Sequence, residues 1–158
     1  MKYIEVVNHP SLKEYFGERG DKWIQSLTAL INKKSVGDME VGDKGAEKLL
    51  LSTWKWSWLG FFFTFYWLAY HNVKYWMPFC IGYLVLNLID IFFLDFALAT
   101  PLSIAPAMVY GMFGRCQMLA SKAEELSKTG SLAPPSWKNV GIALLIIMLP
   151  MLSLVALA

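Results

Sequence analysis

Beyond Trp56 the chain carries almost no charge outside one patch at 115–138, and this uneven placement constrains its fold more than any other feature. Nine of the fourteen Lys and Arg residues and eight of the twelve Asp and Glu residues lie in residues 1–55. The remainder offers four apolar segments, at 56–70, 76–98, 101–114 and 137–158. A helix needs about 20 apolar residues, rising about 1.5 Å each, to cross the hydrocarbon layer of a bilayer. Segments 76–98 and 137–158 meet that length. Segment 101–114 is short in its uncharged part, but a helix can continue through Arg115 to Lys128. Segment 56–70, at about fifteen residues, falls short.

The basic residues then choose among topologies. If all four segments spanned, with the N-terminus inside, Arg115, Lys122, Lys128 and Lys138 would lie outside, against the positive-inside tendency. If 56–70 enters and leaves on one side, or lies in the interface, all fourteen Lys and Arg become cytoplasmic and the C-terminus becomes periplasmic. The expected fold is therefore an all-α integral membrane protein with three transmembrane helices. One aromatic interfacial or re-entrant helix at 54–75 and a short amphipathic helical region at 1–53 complete it. The third part is the three-helix region 76–158, with a cytoplasmic extension at 115–136.

Half of the chain's aromatic residues fall between 54 and 76. Trp and Tyr favour the headgroup level, because the ring is apolar while its N–H or O–H needs a partner. Trp54, Trp56, Trp58, Trp67, Tyr70 and Trp76 are thus expected to form an interfacial shelf.

In residues 1–35, Ser11 followed by Glu14 has capping-box spacing, and Asp21 can cap a second helix running to about Lys34. Trp23, Ile24, Leu27, Leu30 and Ile31 recur at three and four, forming one apolar stripe that needs a partner. The partner can be the protein, the bilayer surface or another chain. GDMEVGDKG at 37–45 reads as a loop. The chain lacks the basic-then-apolar start of a secretory signal, so its first 50 residues are expected to stay in the cytoplasm. Cys80 and Cys116 are far apart and read as small buried hydrophobes. His9 and His71 have no ligand at metal spacing. The expectation is no metal and no cofactor. With a net charge of +2 and no basic run, nucleic acid is not an expected partner.

Segment 76–98 holds the costliest residues. Tyr83, Asn87 and Asp90 share a helix face at i, i+4 and i+7, and Asp95 lies near the outer end. An aspartate near mid-membrane costs about 2.5–3.5 kcal/mol on insertion scales, so it faces protein or water, is protonated, or has a partner. One role is a proton or cation site. The other, favoured because only this segment carries such residues, is a hydrogen-bonding clamp between helices. Across a short connection, Ala99, Ser103, Ala107 and Gly111 form a small-residue stripe that permits close backbone approach. The polar face is expected to seat on that stripe, near Tyr110. Pro106 and Pro150 should bend their helices, Gly130 should stop one, and the mixed charges at 115–128 read as a solvated extension.

Trp58, Phe61, Phe63, Trp67 and Tyr70 resemble the aromatic signature of a family of small bacterial inner-membrane proteins catalogued as a domain of unknown function. Glu14-Tyr15-Phe16-Gly17 and Lys22-Trp23-Ile24 resemble that family's lead-in, and Gly111 and Gly114 its downstream glycine. His71 replaces the family's arginine, and the downstream Asn and Tyr are missing. The resemblance covers about residues 14–120. It implies a bacterial inner-membrane location and no activity.

No nucleophile elbow, P-loop, dinucleotide glycine set or HExxH motif occurs. The expected function is a non-catalytic accessory subunit of a larger bacterial membrane assembly, with lipids and other membrane subunits as partners. The alternatives are a small oligomeric channel or transporter lined by Asp90 and Asn87, and an enzyme acting on lipid through His71.

Overall fold

A computed structural model of the protein describes residues 1–33, 35–52 and 56–157, with side chains for all of these except 51, 99 and 150–157. Among the described residues the chain is mostly helical with no strand, and Lys2 and Glu40 form an isolated antiparallel bridge. The expected all-α class is therefore observed. The chain divides into two compact units, one of Met1–Trp56 with Met112–Pro135 and one of Ser57–Gly111 with Ser136–Ala158. Met112–Pro135 thus groups with the N-terminal region.

The first unit begins with α1 (Tyr3–Val7), α2 (Pro10–Phe16), a 3-10 turn, α3 (Gly20–Asn32) and α4 (Lys44–Leu51). The start of α2 differs from the capping box expected at Ser11. Pro10 occupies the first turn, where its missing N–H costs nothing, and His9 caps it, with Nδ1 accepting the Ser11 amide at 3.3 Å. Asp21 lies inside the first turn of α3 rather than before it.

The α3 stripe finds its partner within the protein. Leu27, Leu30 and Ile31 are buried with Tyr3, Val6, Val7 and Leu12, and with Cys116, Leu119, Ala123 and Leu126 from the long helix α8 (Ala99–Thr129). Those four α8 residues recur at three, four and three, so they form one face. The extension at 115–128 is thus a spine of this core, solvated on one side only. Trp23 stacks on Phe16 at 4.8 Å between centroids, and the Arg115 guanidinium lies 5.3 Å over the Trp23 ring. Gly130 stops α8 as expected, at φ 70°, with its amide donating to the Leu126 carbonyl.

The second unit contains α5 (Trp58–Phe62), α6 (Thr64–Tyr70), α7 (Trp76–Phe93), the first part of α8, and α9 (Trp137–Leu157). The aromatic segment is not one helix. It breaks at Phe63 (φ −120°, ψ 30°), and the Thr64 hydroxyl donates to the Gly60 carbonyl at 2.8 Å across the break. Among the described residues one helix, α7, is long and apolar enough to cross a membrane. Pro106 lies inside α8, which continues through it. Lys34, Trp54 and the side chains of Ala99 and Pro150 lie outside the described residues.

Candidate functional site

Asp90 is 2% exposed and bonds to the turn that follows its own helix. Its Oδ1 accepts the Leu98 amide at 2.7 Å, and its carbonyl accepts the amides of Leu94 and Phe96. Between those residues, Asp95 and Phe96 adopt φ of 48° and 65°, a left-handed conformation that disfavours side chains. Asp90 therefore holds the strained α7–α8 turn in place. Asn87 also bonds locally, its Nδ2 donating to the Tyr83 carbonyl at 2.7 Å. Asp95 is exposed within the turn. On α8, Gly111 is buried, Ala107 half-buried and Ser103 exposed.

α7 packs against α9 and α6. Its aromatic contact with α8 is Phe79 against Tyr110, edge-on at 5.1 Å. α5 approaches the backbone of α8 closely. A Cβ added at Gly60 would lie 2.5 Å from the Tyr110 carbonyl oxygen, and the Ser57 amide donates to the Gly111 carbonyl at 2.7 Å. Gly60 is the one glycine in the sequence of the aromatic segment, and a lone glycine among rings is the signal of such an approach.

Asn72 joins three elements. Its Oδ1 accepts from Trp76 Nε1 at 3.2 Å and from Asn139 Nδ2 at 3.3 Å. Two residues back, the Tyr70 carbonyl accepts the Ser136 amide at 2.9 Å. The first turns of α7 and α9 therefore lie at one level, and these two packed helices run in the same direction. Segment 57–72 starts beside Gly111 and ends beside Trp76. In between, Phe65 lies 4.6 Å from the Tyr83 ring. Tyr83 is seven residues into α7, a rise of about 10 Å.

Along α9 this arrangement leaves an apolar groove of about 530 Å³. Leu59 and Phe63 line it from α5 and its end, Tyr66, Trp67 and Tyr70 from α6, and Trp137, Val140 and Leu144 from α9. Tyr70 and Trp137 meet at 4.9 Å at one end. Of the expected shelf residues, Trp58 is exposed, Trp56 half-buried, and Trp67 and Trp76 buried. The indole N–H of Trp67 is buried and has no acceptor among the described residues. His71 is 8% exposed and sits against the rings of Trp67 and Tyr70.

In the first unit, Lys122 is fully buried. Its Nζ lies 2.8 Å from Glu125 Oε2 and 4.8 Å from the centre of the Tyr15 ring. Glu125 Oε1 accepts the Ala133 amide at 2.6 Å, tying the Pro134-Pro135 loop to α8. A cleft of about 410 Å³ opens beside them, lined by Ser11, Glu14, Tyr15, Ser131, Leu132, Pro134 and Pro135. Burial pushes the Cys116 thiol up to about 11, although Arg115 opposes the rise. Burial, with Glu47, Asp43 and Glu124 adding, pushes the Tyr3 phenol up to about 12. Among the described residues no cluster of His, Cys, Asp and Glu could hold a metal ion.

Comparison with protein-family models, with curated proteins and with solved structures gives no match to this chain.

Proposed function

We propose that this protein is a non-catalytic accessory subunit of a larger bacterial inner-membrane assembly. It is held by three spans, at 76–98, 101–114 and 137–158, with 57–72 as a re-entrant shelf on the cytoplasmic side. The observation that carries the reading is the surface of α7. Met77, Phe79, Ile81, Val85, Leu86, Ile89, Phe92 and Phe93 are all exposed on a helix of spanning length. Such a continuous apolar surface is costly in water, and it marks a membrane or protein contact.

Four further points support the arrangement. The first turns of α7 and α9 share a level at Asn72, as two helices leaving the same membrane face would. Segment 57–72 starts and ends near that level, which suits a shelf. Every Lys and Arg then falls on the cytoplasmic side, with the N-terminus cytoplasmic and the C-terminus periplasmic. The resemblance to an inner-membrane family of unknown function fits the same place.

The accessory role rests on surplus apolar surface beyond α7. Ile104, Met108 and Val109 on α8, and Trp58, Phe62 and Phe63 in the shelf, are exposed as well. The local bonds of Asp90 and Asn87 leave a clamp-like structural role as the better reading of those residues than an ion path.

Crosslinking in native membranes, followed by purification in mild detergent, tests the proposal. The expected result is a defined larger complex containing other polypeptides. A lone monomer with no crosslinked partner overturns it.

A further inference from the structure

We propose that the groove along α9 is a binding site for one anionic phospholipid of the cytoplasmic leaflet. An acyl chain would lie against Phe63, Trp67, Val140 and Leu144, with the headgroup beyond the Tyr70–Trp137 end. The inference rests on the membrane placement proposed above, which sets that end at headgroup level.

Charge complementarity identifies the occupant. The wall of the groove is hydrocarbon and aromatic ring, which suits an acyl chain. Lys74 and Lys138 each lie within two residues of the Asn72–Asn139 hydrogen bond at the Tyr70–Trp137 end. In the second unit the only acidic residues in the sequence are Asp90 and Asp95. Asp90 lies fourteen residues along α7 from Trp76, a rise of about 21 Å, so the second unit's own helical carboxylate is far from the groove's mouth. The positive end of the α9 dipole points the same way. Basic pockets beside membrane helices on the cytoplasmic side recognise anionic headgroups by this combination.

The test uses the full chain extracted from the membrane fraction, so a protein that is not in the membrane fails before lipid is measured. Delipidated protein is titrated with phosphatidylglycerol or phosphatidylcholine, and retained lipid is read by native mass spectrometry. One phosphatidylglycerol should be retained in preference to phosphatidylcholine. Lys138→Ala should weaken it about fivefold, on the usual worth of one juxtamembrane cation. Leu144→Trp, which fills the groove, should abolish retention while leaving helicity and the thermal midpoint unchanged. Brominated acyl chains should quench wild-type tryptophan fluorescence, and should quench it less in Leu144→Trp if that variant is folded but misreads by mass. Equal retention of both lipids, or none by the wild type, overturns the proposal. So does a photoreactive residue at 144 that crosslinks to a second polypeptide in place of lipid.

Discussion

The Oδ1 of Asp90 accepts the amide of Leu98 at 2.7 Å, reaching eight residues ahead across a turn in which two consecutive non-glycine residues are left-handed. A carboxylate set in an apolar helix thus serves the backbone, and its acceptor stabilises a turn that costs conformational energy.

Replacing Asp90 with Ala removes that acceptor and leaves the Leu98 amide unsatisfied. The expected loss is about 0.5–1.5 kcal/mol, the net worth of one part-buried hydrogen bond. Asp90→Asn keeps an acceptor and should lose less. Thermal unfolding in a single detergent checks both. An Asp90→Ala variant as stable as its parent would mean the turn is held by other contacts.

Gly60 and Gly82 should respond in opposite senses to Ala. At Gly60 the new Cβ would sit 2.5 Å from the Tyr110 carbonyl oxygen, so backbone must move, at a cost of about 1–3 kcal/mol. At Gly82, in the middle of α7, nothing lies within 4 Å. There the substitution should gain about 0.5–1 kcal/mol from helix propensity. The two thermal midpoints, measured against wild type, give the signs directly.

Lysine labelling tests the topology, and Lys128 is the residue to follow. Its side chain is 68% exposed, whereas that of Lys122 is 1% exposed and gives no signal from either side. An impermeant amine reagent should leave Lys128 unmodified in intact cells and modify it after permeabilisation. Mass spectrometry of the 115–136 peptides reads the result. Modification from outside intact cells would reverse the proposed orientation.

Alkaline pH should weaken the first unit. The Cys116 thiol ordinarily titrates near 9.0 and is pushed up to about 11 in the fold, so the folded state holds its proton longer than the unfolded state does. No penalty exists below pH 9. As pH rises from 9 towards 11, the unfolded chain releases that proton first and stability falls. Tyr3, raised from 10.0 to about 12, extends the loss upward. Cys116→Ala should lose less stability than wild type between pH 9 and 11 in denaturant titrations. Identical pH profiles would remove Cys116 as the cause.

Much of the helical layout was legible in residue spacing. The α3 stripe, the stop at Gly130 and the shortness of 56–70 all follow from periodicity and length. What spacing did not disclose was which faces meet. Cys116, Leu119, Ala123 and Leu126 repeat at helical intervals, but the charges interleaved with them masked the buried face. Spacing placed Asn87 and Asp90 on one face but did not show the bonds they make. In the fold the polar groups find nearby backbone partners, and local bonds form without loop-closure cost. The groove was invisible for a related reason. Its walls come from segments more than sixty residues apart, and ring-rich sequence looks the same whether it faces lipid or another helix.

The bond between Asn72 and Asn139 spans 67 residues of chain. At ordinary rates of synthesis, roughly 3–13 s separate the two amides as they leave the ribosome. Through that interval α6 and α7 exist with no α9 to lean against. α9 is therefore the keystone of its half of the molecule, and the nascent protein waits, ring faces uncovered, for its arrival.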